Sequence, residues 1–337
     1  MKPLSIMKKT ILAAALALVG SLSCQAQVTT DPVGFVSITV LAKSDASLGV
    51  PLARPNEFQG VVQSISGNVI TLAGTPGWTA SQFVYVAGTQ PKTYFARIDS
   101  GANEGLIATI TANDTSSVTV TVPTGDSLSG ILTNAANGTG DTISIAPYWT
   151  LGTLIPGAAA GTQVLLYSTT QAGINLSASA IYFSNGTDWY QNATLSDDVI
   201  LVASQGFTLR NNTVNPITFS ITGSVPMATN RLVVGTLAAS KQQDQRIFFN
   251  SPVPEYVGNT GLGTSPGDQL LIFNNSLSGE NQSANVILVW TGSKWNNGGT
   301  DVTNTYQLQP GSSYVLRKAP SASPSTVVTS HLQSYLQ

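Results

Sequence analysis

The sequence predicts an all-β protein: two duplicated β-sandwich-like units, with a small β-barrel inserted in the first. Three observations point there. The first is an internal repeat. Gly161-Thr162-Gln163-Val164-Leu165-Leu166-Tyr167, Ile181 to Trp189 and Leu209-Arg210 come back as Gly267-Asp268-Gln269-Leu270-Leu271-Ile272-Phe273, Ile287 to Trp295 and Leu316-Arg317. The offset is 106 residues up to Trp189/Trp295 and 107 at Arg210/Arg317. The second is composition. Only 9% of residues are charged, far below the usual quarter, so surface polarity rests on Ser, Thr, Asn, Gln and Gly. With Val and Ile, those residues suit strands and turns. The third is periodicity: no stretch after residue 27 keeps a helical apolar period with charged flanks.

The chain opens with a targeting pattern over 1–26. Lys2, Lys8 and Lys9 form a basic region, Ile11 to Val19 an apolar run, and Gly20 to Ala26 a small and polar stretch. This is the three-part form of a secretory signal peptide, with cleavage expected after Ala26. The apolar run is shorter than the roughly 20 residues a spanning helix needs. A second reading makes Cys24 the lipidated residue of a lipoprotein anchor, although Ser21 stands where such sites usually carry Leu. Cleavage removes the single cysteine. It also removes three of the 14 Lys+Arg and none of the 16 Asp+Glu, moving the net charge from −2 to −5. No block of basic residues remains, which argues against nucleic acid as a partner.

The mature chain divides by expectation into a first β unit (27–54 plus 142–213), an inserted barrel (55–141), a second β unit (214–318) and a flexible polar tail (319–337). Asp31-Pro32-Val33-Gly34-Phe35 and Asn215-Pro216-Ile217-Thr218-Phe219 look like the two opening strands of the duplicated units. Within the insert, strands are expected at Phe58–Ser64, Val69–Leu72, Phe83–Val86, Thr93–Ile98, Leu106–Thr111 and Val118–Val122. Gly/Asn turns separate them, the spacing of a small barrel. Ile181–Ser184, Asn185-Gly186 and Thr187–Gln191 read as a hairpin with a two-residue type I′ turn. Gly292-Ser293 fills the same place in the second copy.

Candidate chemistry is sparse. The one histidine, His331, lies in the tail, so no Ser-His-Asp, Cys-His or histidine metal set can be assembled. The four glutamates, Glu57, Glu104, Glu255 and Glu280, all sit in turn-like contexts. Asp197-Asp198 would point to opposite faces of a strand, which weakens a carboxylate pair or a calcium site there. Trp189, Tyr190 and Trp295 are the candidate ligand-binding residues, as platforms for sugar rings, with Trp149 and Trp78 behind them. The competing reading puts a Trp repeated at the same place in the core. Arg210 and Arg317 read as strand-end caps or partners of a nearby acid. No cofactor is implied.

Five elements in order resemble a paralogous family of secreted, verrucomicrobial-type bacterial proteins of unknown function. They are Asp31-Pro32-Val33-Gly34-Phe35, Glu104-Gly105-Leu106-Ile107 with Ile110 to Asn113, Pro147-Tyr148-Trp149-Thr150-Leu151, Gly161 to Tyr167, and Pro310-Gly311 before Tyr314. The resemblance implies export and a shared fold. It carries no known activity and transfers no functional residue. The expected role is an exported non-catalytic structural or binding protein of the cell envelope or extracellular space, with polysaccharide or other envelope proteins as partners. The alternatives are a carbohydrate-binding module using exposed aromatics and a carboxylate-based enzyme acting on polysaccharide.

Overall fold

Each copy of the repeat builds one six-stranded antiparallel sheet. In the computed structural model, which describes residues 32–337, the first sheet runs Thr194–Leu195, Trp189–Gln191, Ala180–Ser184, Gln163–Leu166, Phe207–Asn211, Ser44–Leu48 across its width. The second runs Thr300–Asp301, Trp295–Asn297, Val286–Trp290, Gln269–Ile272, Tyr314–Lys318, Gln243–Ile247. The order is the same strand for strand. The predicted leader (1–26) lies outside the described residues. Val33–Gln337 forms one compact unit, and no helix among the described residues is long and apolar enough to cross a membrane.

A two-stranded ribbon covers each sheet and closes its core. Over the first, Val33–Val40 pairs antiparallel with Ile217–Ser224. Alternation turns Val36, Ile38, Val40, Phe219 and Ile221 onto the core, while Ser37–Ser220 and Thr39–Thr218 hydroxyl pairs (2.8 and 2.9 Å) run along the outside. Over the second, Asn230–Thr236 pairs with Ser325–His331. Two expectations are corrected here. Val33–Val40 and Ile217–Ser224, expected as equivalent opening strands of two copies, are the two halves of one ribbon. Their matched phenylalanines face opposite ways, Phe35 being 75% exposed and Phe219 packed on the core. The segment 319–337 is not a loose tail either. Its β-branched Ser-Thr-Val-Val-Thr stretch supplies the second ribbon's closing strand, with His331 opposite Asn230.

The insert is a closed six-stranded barrel of Phe58–Ser66, Val69–Leu72, Ser117–Thr121, Ile107–Asn113, Tyr94–Ile98 and Thr142–Pro147. The last strand lies beyond residue 141, where the insert was expected to end. It was needed because Phe83–Val86 is not a strand. Phe83 donates its N–H to Asn113 Oδ1 at 2.9 Å. Its buried ring stacks edge-on between Trp78 (5.0 Å) and Tyr94 (5.1 Å). The segment plugs the barrel core rather than forming a stave.

The two repeats grip each other about a pseudo-two-fold axis. Asp45 N–H donates to Gly279 O at 3.0 Å and Asp244 N–H to Gly173 O at 2.9 Å. Asn281 N–H donates to Asp45 (2.8 Å) and Asn175 N–H to Asp244 (2.7 Å). Asn175 and Asn281, 106 residues apart, adopt the same left-handed φ of 52° and 51°. Arg210 clamps Asp45 with two bonds of 2.7 and 2.8 Å and reaches Asn281. Arg317 clamps Asp244 at 2.7 and 2.9 Å and reaches Asn175. The arginines thus pair with acids across neighbouring strands, and a loop from the other repeat completes each pair. This arrangement also explains the unbroken apolar run of Val164-Leu165-Leu166. Val164 faces its own core, and Leu165 faces the other repeat.

Candidate functional site

The aromatic candidates separate once the strands are placed. Trp189 and Trp295 are each 1% exposed, in the cores of the first and second repeats. Trp189 Nε1 donates to Ile155 O at 3.3 Å. Neither indole shows a face to a ligand, so both are corrected to core residues, as their repetition at one depth of a buried sheet allows. Tyr190 is half-buried and stacks on its cross-strand partner Phe183, 6.1 Å between centroids. Trp78 lies in the barrel core. The hairpin tips differ from the expected two-residue turns. Ser184 pairs with Trp189 and Trp290 with Trp295, leaving four-residue loops. Asn185 Oδ1 accepts from the N–H groups of Thr187 and Asp188. This local turn satisfies the backbone without a type I′ geometry.

The acids are tied into the scaffold. Asp197 Oδ1 accepts from Trp189 N–H at 2.7 Å, a task Thr303 Oγ1 performs for Trp295 at 2.9 Å. Glu57 holds Lys92 and Tyr94, each at 2.7 Å. Glu104 accepts from Thr229 N–H, Glu255 from Ser334 N–H, and Glu280 meets Arg210 at 3.3 Å. Among the described residues no group of three or more His, Cys, Asp or Glu could hold a metal ion.

What the structure brings together instead is a cleft where the barrel and both repeats meet. The barrel strand Tyr94–Ile98 sends Tyr94, Ala96 and Ile98 inward, so Phe95 and Arg97 point out into the cleft. Phe95 packs on Tyr148 at 4.8 Å between ring centroids, with Ile107 and Ile200 against them. Burial pushes the Tyr148 hydroxyl up to about 12. The first repeat adds Leu52, Arg54 and Trp149, and the second adds Asn230, Arg231, Asn250 and Gln333. Trp149 Nε1 donates to Leu52 O at 2.8 Å, fixing the indole, and the Arg54 guanidinium stands 5.6 Å from its ring centre.

Three arginines therefore converge, differently employed. Arg97 is held by Asp99 at 2.6 Å, and Arg231 by both oxygens of Asp126 at 2.7 and 2.8 Å. Arg54 forms no salt bridge among the described residues, although its charge reaches Glu57 and helps hold that carboxyl below its usual value. Buried Asn230 Nδ2 and Gln333 Oε1 also have no protein partner. The far wall is locked by Thr229, whose hydroxyl donates to Glu104 O at 2.8 Å. A side chain at Gly105 would collide with Thr229 O, and the glycine's φ of 85° suits no other residue well. An apolar cleft with a few converging polar groups is the usual form of a small-molecule site. Trp149 had a signal in the sequence as one of five tryptophans. Arg54, Arg97 and Arg231 had none, because nothing local says that they meet.

Comparison with protein-family models, with curated proteins and with solved structures finds no match to this chain.

Proposed function

We propose that this is an exported, non-catalytic binding protein of the cell envelope or extracellular space, and that the three-module cleft holds its ligand. The observation that carries this reading is Arg54. It makes no salt bridge among the described residues, sharing its field only at longer range with Glu57, and it stands beside a fixed indole in an apolar cleft to which every module contributes. The ligand that suits it is an anion with an apolar or ring-shaped body, such as an acidic sugar. The charge meets Arg54, the ring lies along Trp149 and Phe95, and the unpartnered atoms Asn230 Nδ2 and Gln333 Oε1 take hydroxyl groups. The leader-like pattern at 1–26 supports export. The carbohydrate reading thereby moves from Trp189, Tyr190 and Trp295 to Trp149.

A glycan array with acidic and neutral oligosaccharides tests this reading, using the full chain and Arg54→Ala. Wild type should retain uronate- or sialate-type glycans, and Arg54→Ala should weaken retention about tenfold, the loss of roughly one charge-assisted hydrogen bond. Equal retention by both proteins would move the site elsewhere. No retention of any acidic glycan would remove the acidic-sugar ligand.

A further inference from the structure

The pseudo-two-fold axis between the repeats is broken at Arg246. Ser47 and Arg246 hold equivalent places in the edge strands Ser44–Leu48 and Gln243–Ile247. The Arg246 guanidinium carbon lies 4.2 Å from the Tyr167 ring centre and 5.4 Å from that of Phe273, the counterpart of Tyr167 in the other repeat. Its side chain makes one hydrogen bond to a described residue, from Nη1 to Ser47 Oγ at 2.7 Å. Its Nε is shut away from solvent without a partner. Two pockets flank it, and both are walled by Tyr167, Arg246 and Phe273.

No carboxylate bonds the guanidinium directly, although Asp45 and Asp244 lie close enough to favour its charge. The nearest acids of the axis, Asp45 and Asp244, are each engaged by two bonds from Arg210 and Arg317. Among the described residues no carboxylate forms an ion pair with Arg246. Burial pushes the guanidinium below its usual value, but arginine starts so far above neutrality that it stays charged. Ring faces attract a cation, yet they accept no in-plane hydrogen bonds. A partly desolvated cation with a buried idle donor is completed most favourably by an anion.

We propose that a small carboxylate binds at this axis, against the Arg246 guanidinium, in the pocket on the Ser47 side. That pocket is the more polar of the two, with Ser47, Thr208, Asn275 and Gln282 in its walls, whereas Leu176, Leu271 and Val315 line the other. The guanidinium's planar donors match a carboxylate's two oxygens. Asp45, in the same wall, disfavours a dianion. This site is separate from the three-module cleft and does not rest on it.

Thermal unfolding of the full chain in rising acetate, against chloride at fixed ionic strength, tests the proposal. A ligand that binds only the folded state raises Tm along a saturable curve. The rise should appear in wild type and in Arg54→Ala, vanish in Arg246→Met, and need at least tenfold more acetate in Arg246→Lys. Arg246→Lys keeps the charge without the planar fork, and serves alone if Arg246→Met does not fold. A flat wild-type response, or an equal response in the Arg246 variants, overturns the site. A phosphate response as strong as that to acetate overturns the carboxylate assignment.

Discussion

At one pair of core positions the two repeats solve the same packing problem with different chemistry. In the second, Lys318 and Asp268 form an ion pair in the core, with Thr264 and the Ala319 N–H also on the carboxylate. In the first, the equivalent places hold Asn211 and Thr162. Breaking a buried pair by removing one partner strands the other charge, whereas replacing both can be neutral. Lys318→Asn should therefore cost about 3–5 kcal/mol in urea unfolding. Adding Asp268→Thr should recover most of that loss, a coupling read from the double-mutant cycle. A second residue-scale outcome concerns pH. Tyr148 ionises near 12 when folded against about 10 when unfolded. The stability its neutral hydroxyl contributes is complete below pH 10 and lost as pH rises towards 12. Absorbance at alkaline pH should show Tyr148 ionising later than the exposed tyrosines, and Tyr148→Phe should flatten the fall in stability over that interval.

At the scale of elements, the closing strand of each ribbon matters more than its polar sequence suggests. Ser325–His331 covers the length of Asn230–Thr236, whose Leu232 and Val234 lie in the second core. A chain ending at 324 should lose several kcal/mol, since that core side chains' cover and a full ladder go together. Hydrogen exchange should show Asn230–Thr236 deprotected ahead of the barrel. Unchanged protection there would mean the strand is only an accessory. The elements also show what could be read from the chain. Strands of the repeat and the barrel's existence followed from apolar runs and Gly/Asn punctuation, because those signals are local. The ribbons were misread because alternating strands of similar composition look equivalent whether they are copies or partners. Phe83–Val86 was misread because an apolar run does not distinguish a stave from a plug. Arg54, Arg231 and Asn250 could not be joined from sequence, as their contact exists only after the barrel and both repeats have docked.

At the scale of the molecule, three cores are bound by ties that cross their borders. Arg231 of the second repeat clamps Asp126 of the insert, Thr229 bonds Glu104 twice, and the loops around Asn175 and Asn281 are exchanged between repeats. Such ties make independent melting unfavourable. Calorimetry should show one transition with equal calorimetric and van't Hoff enthalpies. A separate early transition, assigned to the barrel by the loss of Trp78 fluorescence, would show that the insert unfolds by itself.

The exchanged loops carry one more consequence. The geometry is that of a symmetric dimer, each half offering the other the same surface. Here both halves are on one chain. An association that would weaken with dilution between separate subunits becomes unimolecular, governed by an effective concentration fixed by the connecting segment. The contact around Asp45 and Asp244 therefore holds equally well at any protein concentration, however sparse the molecules are.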